Sequence, residues 1–241
     1  METETKINIK KIKHKDTYCL TFVENPIYFS LMRSVKDMLD TSICTQIKNN
    51  LIIKAKKVRY YSDFLNEEYL KQGIIQLSQA WCLRIAYCLS KQIEYLVSNE
   101  SKCFYKLDYH HLIVMDDCFF YLSPNALIPL EEEKMHIYSY SYSLKDGFFS
   151  PELVQNNLLI PISVHYKTIY YSLGLLLVSA LKDDNDKNLH NHQNLNNYPL
   201  EKINYPLEKI NPLEKINGTK LYFFIVRCLQ KEIHDRYLIF L

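Results

Sequence analysis

The sequence predicts an α+β protein in which a small β-rich unit precedes a mainly helical unit. Short runs of β-branched and aromatic residues dominate residues 1–60, whereas apolar residues recur at helical spacing in residues 61–241. The chain has 241 residues, of which 48% are hydrophobic, so it is long enough to bury a sizeable core. We expect the helical unit to carry a polar and repetitive insert at residues 183–217.

The β-rich unit is predicted from two segments. Residues 17–23 read TYCLTFV, a run of β-branched and aromatic residues that is typical of a strand. Residues 43–58 alternate in polarity around Asn49 and Asn50, which predicts a hairpin. Between these segments, residues 34–39 predict a short helix.

The helical unit contains three segments with strong helical signals. Residues 76–97 place apolar side chains at helical spacing, with Ser78 near the first turn. Residues 168–181 are apolar nearly all round, which predicts a helix in the middle of a core. Residues 219–230 predict a last amphipathic helix that Thr219 caps.

Between the first and second of these helices the pattern changes. Leu112–Met115 and residues 118–122 are strand-like and flank Asp116 and Asp117, so they predict a hairpin. Residues 123–157 predict a long irregular segment.

The predicted insert has two parts. Residues 183–197 are polar and predict a solvated loop. The hexapeptide PLEKIN then occurs at residues 199–204, 206–211 and 212–217. A period of six or seven residues is too short for a solenoid unit, so we interpret the repeat as a surface insert.

Composition excludes several classes of function. The net charge is only +2, and the basic run formed by Lys54, Lys56, Lys57 and Arg59 lacks interleaved stacking aromatics, so we expect no nucleic-acid partner and a solvated strand face. The chain has 4 glycines, of which the first is Gly73, so no glycine-rich phosphate loop precedes that residue.

Cysteine usage and hydropathy predict the cellular setting. Seven cysteines form no C-x-x-C pair, and no secretory signal is recognisable, which indicates a reduced, intracellular protein of the cytoplasm. Cys82 and Cys88 are interpreted as small core residues of a helix. The longest apolar run, residues 169–181, is shorter than the ~18–20 residues that a bilayer crossing requires, so no membrane span is expected.

Four short segments, in chain order, resemble the protein-kinase-like superfamily. Residues 149–153 (FSPEL) are similar to the A-P-E motif that closes the activation segment, and residues 170–176 (YYSLGLL) are similar to the start of the buried F helix. Residues 227–229 (RCL), followed by Asp235-Arg236, resemble the C-L-x-x-x-P-x-x-R element. Residues 105–115, followed by a hairpin, stand where the catalytic loop belongs. The composition, rich in Lys, Asn, Ile and Tyr, also resembles kinase-like proteins of giant DNA viruses, which implies the host cytoplasm as location.

The resemblance implies a reduced β-rich N-lobe, a helical C-lobe and one structural ion pair. In the kinase fold, the glutamate of A-P-E pairs with the arginine of the C-L-x-x-x-P-x-x-R element. Glu152 and Arg236 match those positions here. The resemblance therefore implies that Glu152 and Arg236 meet in a largely buried ion pair beneath the helix predicted at residues 168–181.

The chain departs from the kinase pattern at the residues that carry the chemistry. A working kinase needs a glycine-rich loop, a strand lysine, a catalytic aspartate, an asparagine and the D-F-G aspartate. Alignment on the catalytic loop puts Lys106 at the aspartate and His111 at the asparagine, and residues 122–125 (LSPN) replace D-F-G. Ile169 replaces the F-helix aspartate. Asp108 lies two positions from the catalytic place and is the only candidate catalytic residue nearby.

Three hypotheses follow. The first is a pseudokinase, a kinase-like domain without catalysis that binds or scaffolds other proteins and needs no cofactor. The second is a divergent active Ser/Thr protein kinase that uses Asp108, ATP and Mg²⁺. The third is an unrelated helical interaction protein. Nucleotide binding and phosphotransfer distinguish the first two.

Other polar residues are interpreted without a function. Asp116 and Asp117 lie between two strand-like runs, so a solvated turn is favoured over a metal site. His110 and His111 are adjacent, so their side chains diverge, and no second pair of ligands has the spacing of a zinc site. His190 and His192 fall in the polar tract and are expected to be exposed.

Overall fold

A computed structural model shows a mixed α+β fold whose strands form antiparallel sheets. It describes residues 7–12, 16–23, 26–40, 42–72, 76–139, 147–155, 160–181 and 211–238.

The first sheet contains four antiparallel strands in the order β1-β2-β4-β3. Its strands are β1 (Asn8–Lys11), β2 (Thr17–Thr21), β3 (Cys44–Ile47) and β4 (Asn50–Lys54). Alternate side chains of the central strands are buried, so that Leu20 of β2 lies opposite Leu51 of β4 in the core. The strand predicted at residues 17–23 is confirmed. Strand β1, in the lysine-rich start, was not predicted.

The hairpin predicted at residues 43–58 is confirmed for β3 and β4, but its second arm ends at Lys54. The following strand, β5 (Val58–Tyr60), instead pairs with β7 (Leu112–Met115). Backbone pairing therefore links residues on the two sides of the boundary expected after residue 60.

Helix α1 (Pro26–Met38) is much longer than the helix predicted at residues 34–39. Proline is tolerated at the first helical position because its missing N–H is not needed there. Tyr28, Leu31 and Val35 are buried at helical spacing, so the apolar face of α1 begins well before residue 34.

Two helices follow the first sheet. Helix α2 (Tyr61–Gln72) was not predicted, and it buries Phe64 while leaving Leu70 exposed. Helix α3 (Gln79–Glu100) confirms the helix predicted at residues 76–97, displaced by three residues. The Ser78 side chain caps α3 by accepting a hydrogen bond from the Trp81 N–H.

The predicted hairpin is present as β7 and β8 (Cys118–Tyr121), and β5, β7 and β8 form one sheet in that order. The prediction that residues 123–157 form a long irregular segment is wrong. It contains β9 (Leu127–Glu131), β10 (Lys134–Ile137) and α4 (Pro151–Gln155). Strand β9 pairs with β6 (Lys102–Phe104), and β10 pairs with β11 (Ile162–His165). These short, half-exposed strands depend on partners distant in sequence, which local patterns do not reveal.

Helix α5 (Thr168–Ala180) confirms the predicted core helix and is buried on most sides. It packs against α7 (Lys220–Cys228), which confirms the last predicted helix together with its Thr219 cap. At Gly174, a Cβ atom would lie 2.8 Å from Leu229 Cδ2 and 3.1 Å from Cys228 Cβ, so an alanine there would require these neighbouring side chains to shift.

The interpretation of the PLEKIN repeat as a surface insert is wrong for the third copy, residues 212–217. This copy begins in a short helix, α6 (Asn211–Glu214), and its Leu213 and Ile216 are 0% and 2% exposed. An amphipathic turn with two large apolar side chains packs on the core more readily than it remains in solvent. The polar tract, His190, His192 and the first copy lie outside the described residues, as does the second copy up to residue 210.

Within the described residues, no helix combines the length and apolar content needed to cross a membrane. The seven cysteines all fall in the described part of the chain and are free thiols.

Candidate functional site

The loop between β6 and β7 is held rigidly against the chain segment that precedes α4. Leu107 and Phe148 form a two-way backbone bridge, in which the Phe148 N–H donates to the Leu107 carbonyl at 2.7 Å. Gly147 has φ +137, and a Cβ there would lie 2.8 Å from the Leu107 carbonyl oxygen. Glycine is therefore required for this close approach of two backbones.

Asp108 lies at the centre of a buried polar cluster in this loop. It is 4% exposed. Its Oδ1 accepts the His111 backbone N–H at 3.0 Å and lies 2.8 Å from His111 Nδ1. Its Oδ2 accepts the Tyr121 hydroxyl at 2.8 Å and lies 3.5 Å from Lys106 Nζ. Both carboxylate oxygens are thus occupied by neighbours from the loop and from β8.

The electrostatics of the cluster keep Asp108 ionised. Burial alone would raise the pKa of Asp108, but hydrogen bonding and charge from His111, the Lys106 ammonium and the Tyr121 hydroxyl outweigh burial and lower that pKa to about 2. Burial and the adjacent carboxylate hold the pKa of Tyr121 well above its ordinary value, so Tyr121 remains a proton donor. A carboxylate this acidic and this fully hydrogen-bonded is a poor general base at neutral pH.

Lys106 is buried together with its charge. Its side chain is 1% exposed, and its Nζ lies 5.9 Å from the centre of the Phe149 ring. The cluster can therefore balance one ammonium with one carboxylate. Among the described residues, no three His, Cys, Asp or Glu side chains are grouped in a way that suits a metal ion.

The cluster connects to α3 and α1 through Gln92, which sequence reasoning did not single out as a site residue. Gln92 is 0% exposed, and its amide accepts the Tyr121 N–H at 2.8 Å and donates to the Tyr121 carbonyl at 3.0 Å. It also donates to the Ser34 hydroxyl at 3.2 Å. At the other end of α3, Arg33 of α1 makes a two-pronged ion pair with Glu100. Buried polar side chains must find partners, but sequence alone does not identify them.

Glu152 and Arg236 meet in a two-pronged ion pair. Arg236 Nη1 donates to Glu152 Oε2 at 3.1 Å, and Nη2 donates to Oε1 at 2.5 Å. Arg236 also donates from Nε to the Gln230 carbonyl at 2.7 Å and from Nη2 to the Lys231 carbonyl at 2.9 Å. The guanidinium lies 4.9 Å from the centre of the Tyr171 ring of α5. The side chain of Arg236 is 0% exposed and that of Glu152 is 27% exposed, so the pair is buried on the arginine side.

The remaining candidate residues have structural roles. Asp116 and Asp117 form an exposed turn, as predicted, and the Asp116 carboxylate accepts the backbone N–H groups of Lys56 and Lys57 at 3.3 and 2.8 Å. His110 is exposed, whereas the ring of His111 turns toward Asp108, so the two side chains diverge as expected.

Two further interpretations concern Cys82 with Cys88 and the basic run. Both cysteines are buried in α3, which confirms that they are core residues. In the basic run, Lys57 Nζ and Arg59 Nη1 lie 2.5 and 3.0 Å from Glu67 Oε2 of α2. This part of the run therefore forms an ion-pair network in which β5 and the residue before it contact α2.

No protein-family model matches this chain, and no curated protein matches it.

Proposed function

We propose that the chain is a pseudokinase, a protein-kinase-like domain without catalysis that acts by binding other proteins. The observation that carries this proposal is the ion pair of Glu152 and Arg236, which are 84 residues apart in sequence. The motif resemblance required these two side chains to meet beside α5. Chance similarity of two short motifs does not require such a contact.

The order of elements supports the same proposal. Helix α3 is followed by the buried loop with Asp108, then by the β7–β8 hairpin, then by α4 with Glu152 and by the apolar helix α5. This is the order in which the resemblance puts an E-like helix, the catalytic loop with its strands, the A-P-E segment and the F helix. The strands among the described residues argue against the third hypothesis, an unrelated helical interaction protein.

The chemistry of the loop supports the absence of catalysis. Phosphoryl transfer depends on a base and on two metal-binding side chains that position ATP and Mg²⁺. In the alignment Lys106 and His111 occupy the places of the catalytic aspartate and the asparagine, and residues 122–125 (LSPN) replace D-F-G. The nearby carboxylate of Asp108 is buried and has its oxygens bonded within the cluster. These contacts direct the Asp108 carboxylate to side chains of the cluster and not to a substrate hydroxyl.

Radiolabelled phosphotransfer tests the proposal. We expect the full chain to transfer no label from ATP to itself or to generic substrates, in Mg²⁺ or Mn²⁺, and Asp108→Asn to behave identically. His110→Ala, which changes an exposed neighbour, is the matched control. Transfer that Asp108→Asn abolishes and His110→Ala retains would overturn the proposal and establish the divergent Ser/Thr kinase.

A thermal-shift series tests nucleotide binding separately. Because the metal-binding residues of a kinase are replaced, we expect ATP with Mg²⁺ to give no higher melting temperature than ATP alone. A rise that requires both ATP and Mg²⁺ would contradict this expectation and favour the active-kinase alternative.

Binding of partner proteins is tested by affinity capture with quantitative mass spectrometry. A binding module needs its surface and not its catalytic loop. We therefore expect the wild type and the Asp108→Asn variant to capture the same proteins in the same amounts. Capture that disappears in the variant, although circular dichroism shows the variant to be folded at the assay temperature, would indicate that the Asp108 cluster itself takes part in binding.

A further inference from the structure

The third PLEKIN copy is joined to α7 by a turn, Asn217-Gly218, whose two ends are held in place. On its N-terminal side, Ile216 is 2% exposed, and the Asn217 N–H donates to the Glu214 carbonyl at 3.3 Å. On its C-terminal side, the Thr219 N–H and hydroxyl both donate to the Ile216 carbonyl, at 3.0 and 2.7 Å. The turn therefore lies between a residue docked in the core and the cap of α7.

The turn itself is open to solvent. Asn217 and Gly218 are both exposed, and within the described part of the chain neither the Asn217 side chain nor the Gly218 N–H makes a hydrogen bond. Gly218 has φ +76°, and apart from its chain neighbours no atom lies within 4 Å of the place where a Cβ would be. The Gly218 nitrogen is therefore hindered neither by a side chain of its own residue nor by a packed neighbour.

This pair of residues has a chemistry that other asparagines of the chain lack. A backbone nitrogen can attack the carboxamide carbon of the preceding asparagine, and only glycine presents that nitrogen without a Cβ beside it. Asn217-Gly218 is the only Asn-Gly pair in the sequence. The other two PLEKIN copies end in the same asparagine but continue as Asn204-Tyr205 and Asn211-Pro212. The repeat thus offers one asparagine in three chemical settings.

We propose that Asn217 is a site of spontaneous deamidation, with the Gly218 nitrogen as the attacking group and solvent water as the co-reactant. The Gly218 nitrogen bonds to Asn217 Cγ, and the side-chain amide leaves with the proton of that nitrogen as ammonia, which closes a cyclic succinimide. Water then adds to one of the two ring carbonyls, the bond from that carbonyl to nitrogen breaks, and the nitrogen takes a proton from the water. Opening at Cγ gives aspartate, and opening at the main-chain carbonyl gives isoaspartate. One amide and one water thus give one carboxylic acid and one ammonia.

The two products differ in their effect on the fold. Isoaspartate adds one methylene group to the backbone between Ile216, which is buried, and Thr219, which caps α7. The hydrogen bonds from Thr219 to the Ile216 carbonyl close a ring that this extra group widens. Aspartate keeps the backbone length and places a negative charge near the positive end of the α7 dipole. Isoaspartate therefore loosens the attachment of the third copy to α7, whereas aspartate preserves it.

Peptide mapping of the full chain is the first test, and it does not depend on the proposed pseudokinase function. The folded protein is incubated at mildly alkaline pH, digested with trypsin and analysed by mass spectrometry. Trypsin separates the three asparagines, because a lysine stands two residues before each of them. We expect the peptide that contains Asn217 to gain the mass difference between a hydroxyl and an amino group and to separate into an aspartate and an isoaspartate form.

The other two copies supply the internal control. We expect conversion at Asn217 to be at least about tenfold faster than at Asn204 or Asn211, which corresponds to about 1.4 kcal/mol of activation free energy. Equal rates at the three asparagines would overturn the proposal. The absence of conversion at Asn217 in the folded chain, under conditions in which a synthetic peptide of residues 214–221 converts, would overturn it as well.

Variants identify the reacting groups and the effect of each product. Asn217→Gln lengthens the side chain, which disfavours ring closure, and should abolish the conversion while keeping Gly218 unchanged. Gly218→Ala should slow the conversion, although it also strains a turn whose φ is +76°. Asn217→Asp supplies the aspartate product and should melt with the wild type, whereas the purified isoaspartate form should melt at a lower temperature. Conversion of Asn217→Gln at the wild-type rate would overturn the proposal, and an isoaspartate form that melts with the wild type would overturn the expected loosening.

Discussion

At the scale of single residues, Arg236 shows how a charge is kept inside this protein. Its guanidinium has no exposed surface, yet all three of its nitrogens donate hydrogen bonds, to Glu152 and to two backbone carbonyls. Guanidinium and carboxylate match in geometry, so the pair forms two parallel hydrogen bonds. Such a pair need not exceed an apolar substitute in stability, but each member depends on the other.

Because each member of the ion pair depends on the other, Glu152 and Arg236 should show a specific pattern in a double-mutant cycle. Glu152→Ala leaves the Arg236 charge buried and unbalanced, and Arg236→Ala leaves two carbonyls without donors. We expect each change to lower the free energy of unfolding by about 3–5 kcal/mol. The double variant should lose clearly less than the sum. Urea denaturation measures all four proteins. Glu232→Ala, at an exposed neighbouring carboxylate, is the control and should change stability by less than about 0.5 kcal/mol. Additive, mild effects would contradict the role of the pair.

The Asp108 cluster predicts a dependence on pH. The pKa of Asp108 is about 2 in the folded protein and about 3.9 in the unfolded chain. Because the folded value is lower, the carboxylate contributes stability above about pH 4, and this contribution is lost as the pH falls through about 2. Asp108→Asn removes this titration. The difference in unfolding free energy between wild type and variant should therefore shrink by roughly 2 kcal/mol between about pH 5 and pH 2. A constant difference in urea titrations across that range would contradict the prediction.

At the scale of elements, sequence patterns predicted long, strongly periodic segments and missed short or half-exposed ones. Helices α3, α5 and α7 were predicted because each buries an apolar face that its own spacing reveals. Helix α2 was missed because Tyr69 and Leu70 are exposed, which blurs its pattern. Strands β9, β10 and β11 were missed because their stability comes from pairing with distant segments.

The contact between α5 and α7 predicts the effect of one added methyl group. Gly174→Ala favours a helix by about 1 kcal/mol in isolation, but here the methyl group meets Leu229 and Cys228. We expect a net loss of about 1–3 kcal/mol of unfolding free energy, measured by urea denaturation. Leu229→Ala should cost less in the Gly174→Ala background than in the wild type, because it removes the overlapping atoms. Equal losses of unfolding free energy on Leu229→Ala in both backgrounds would show that α7 moves away from the added methyl group.

At the scale of the whole molecule, one continuous apolar core includes the first sheet, α3, α5, α7 and the last PLEKIN copy. The sequence predicted the α+β class and the location of most of this core. The contact between Glu152 and Arg236 could be predicted from the motif resemblance, because a resemblance to a family carries information about contacts between residues distant in sequence. The contacts of Asp108 could not be predicted, because no local sequence pattern links Tyr121 and Lys106 to that carboxylate.

The repeat provides a test of this core. Leu213→Ala removes a fully buried side chain and should cost about 2–5 kcal/mol of unfolding free energy. Deleting residues 204–211 leaves the third copy intact and shortens a connection, which changes the closure entropy only by tenths of a kcal/mol. We therefore expect the deletion to leave the melting temperature nearly unchanged. A drop of several degrees on deletion would indicate that the second copy packs on the core as well.

The docked hexapeptide also affects how the gene can change without harm to the fold. Copies two and three are identical and directly adjacent, so deleting either one yields the same sequence, PLEKIN followed by Gly218. Replication slippage that removes or adds a whole copy therefore always leaves a leucine and an isoleucine at the spacing of Leu213 and Ile216. The length of the preceding connection can therefore change from one generation to the next. Each slippage event still leaves a copy whose leucine and isoleucine enter the core.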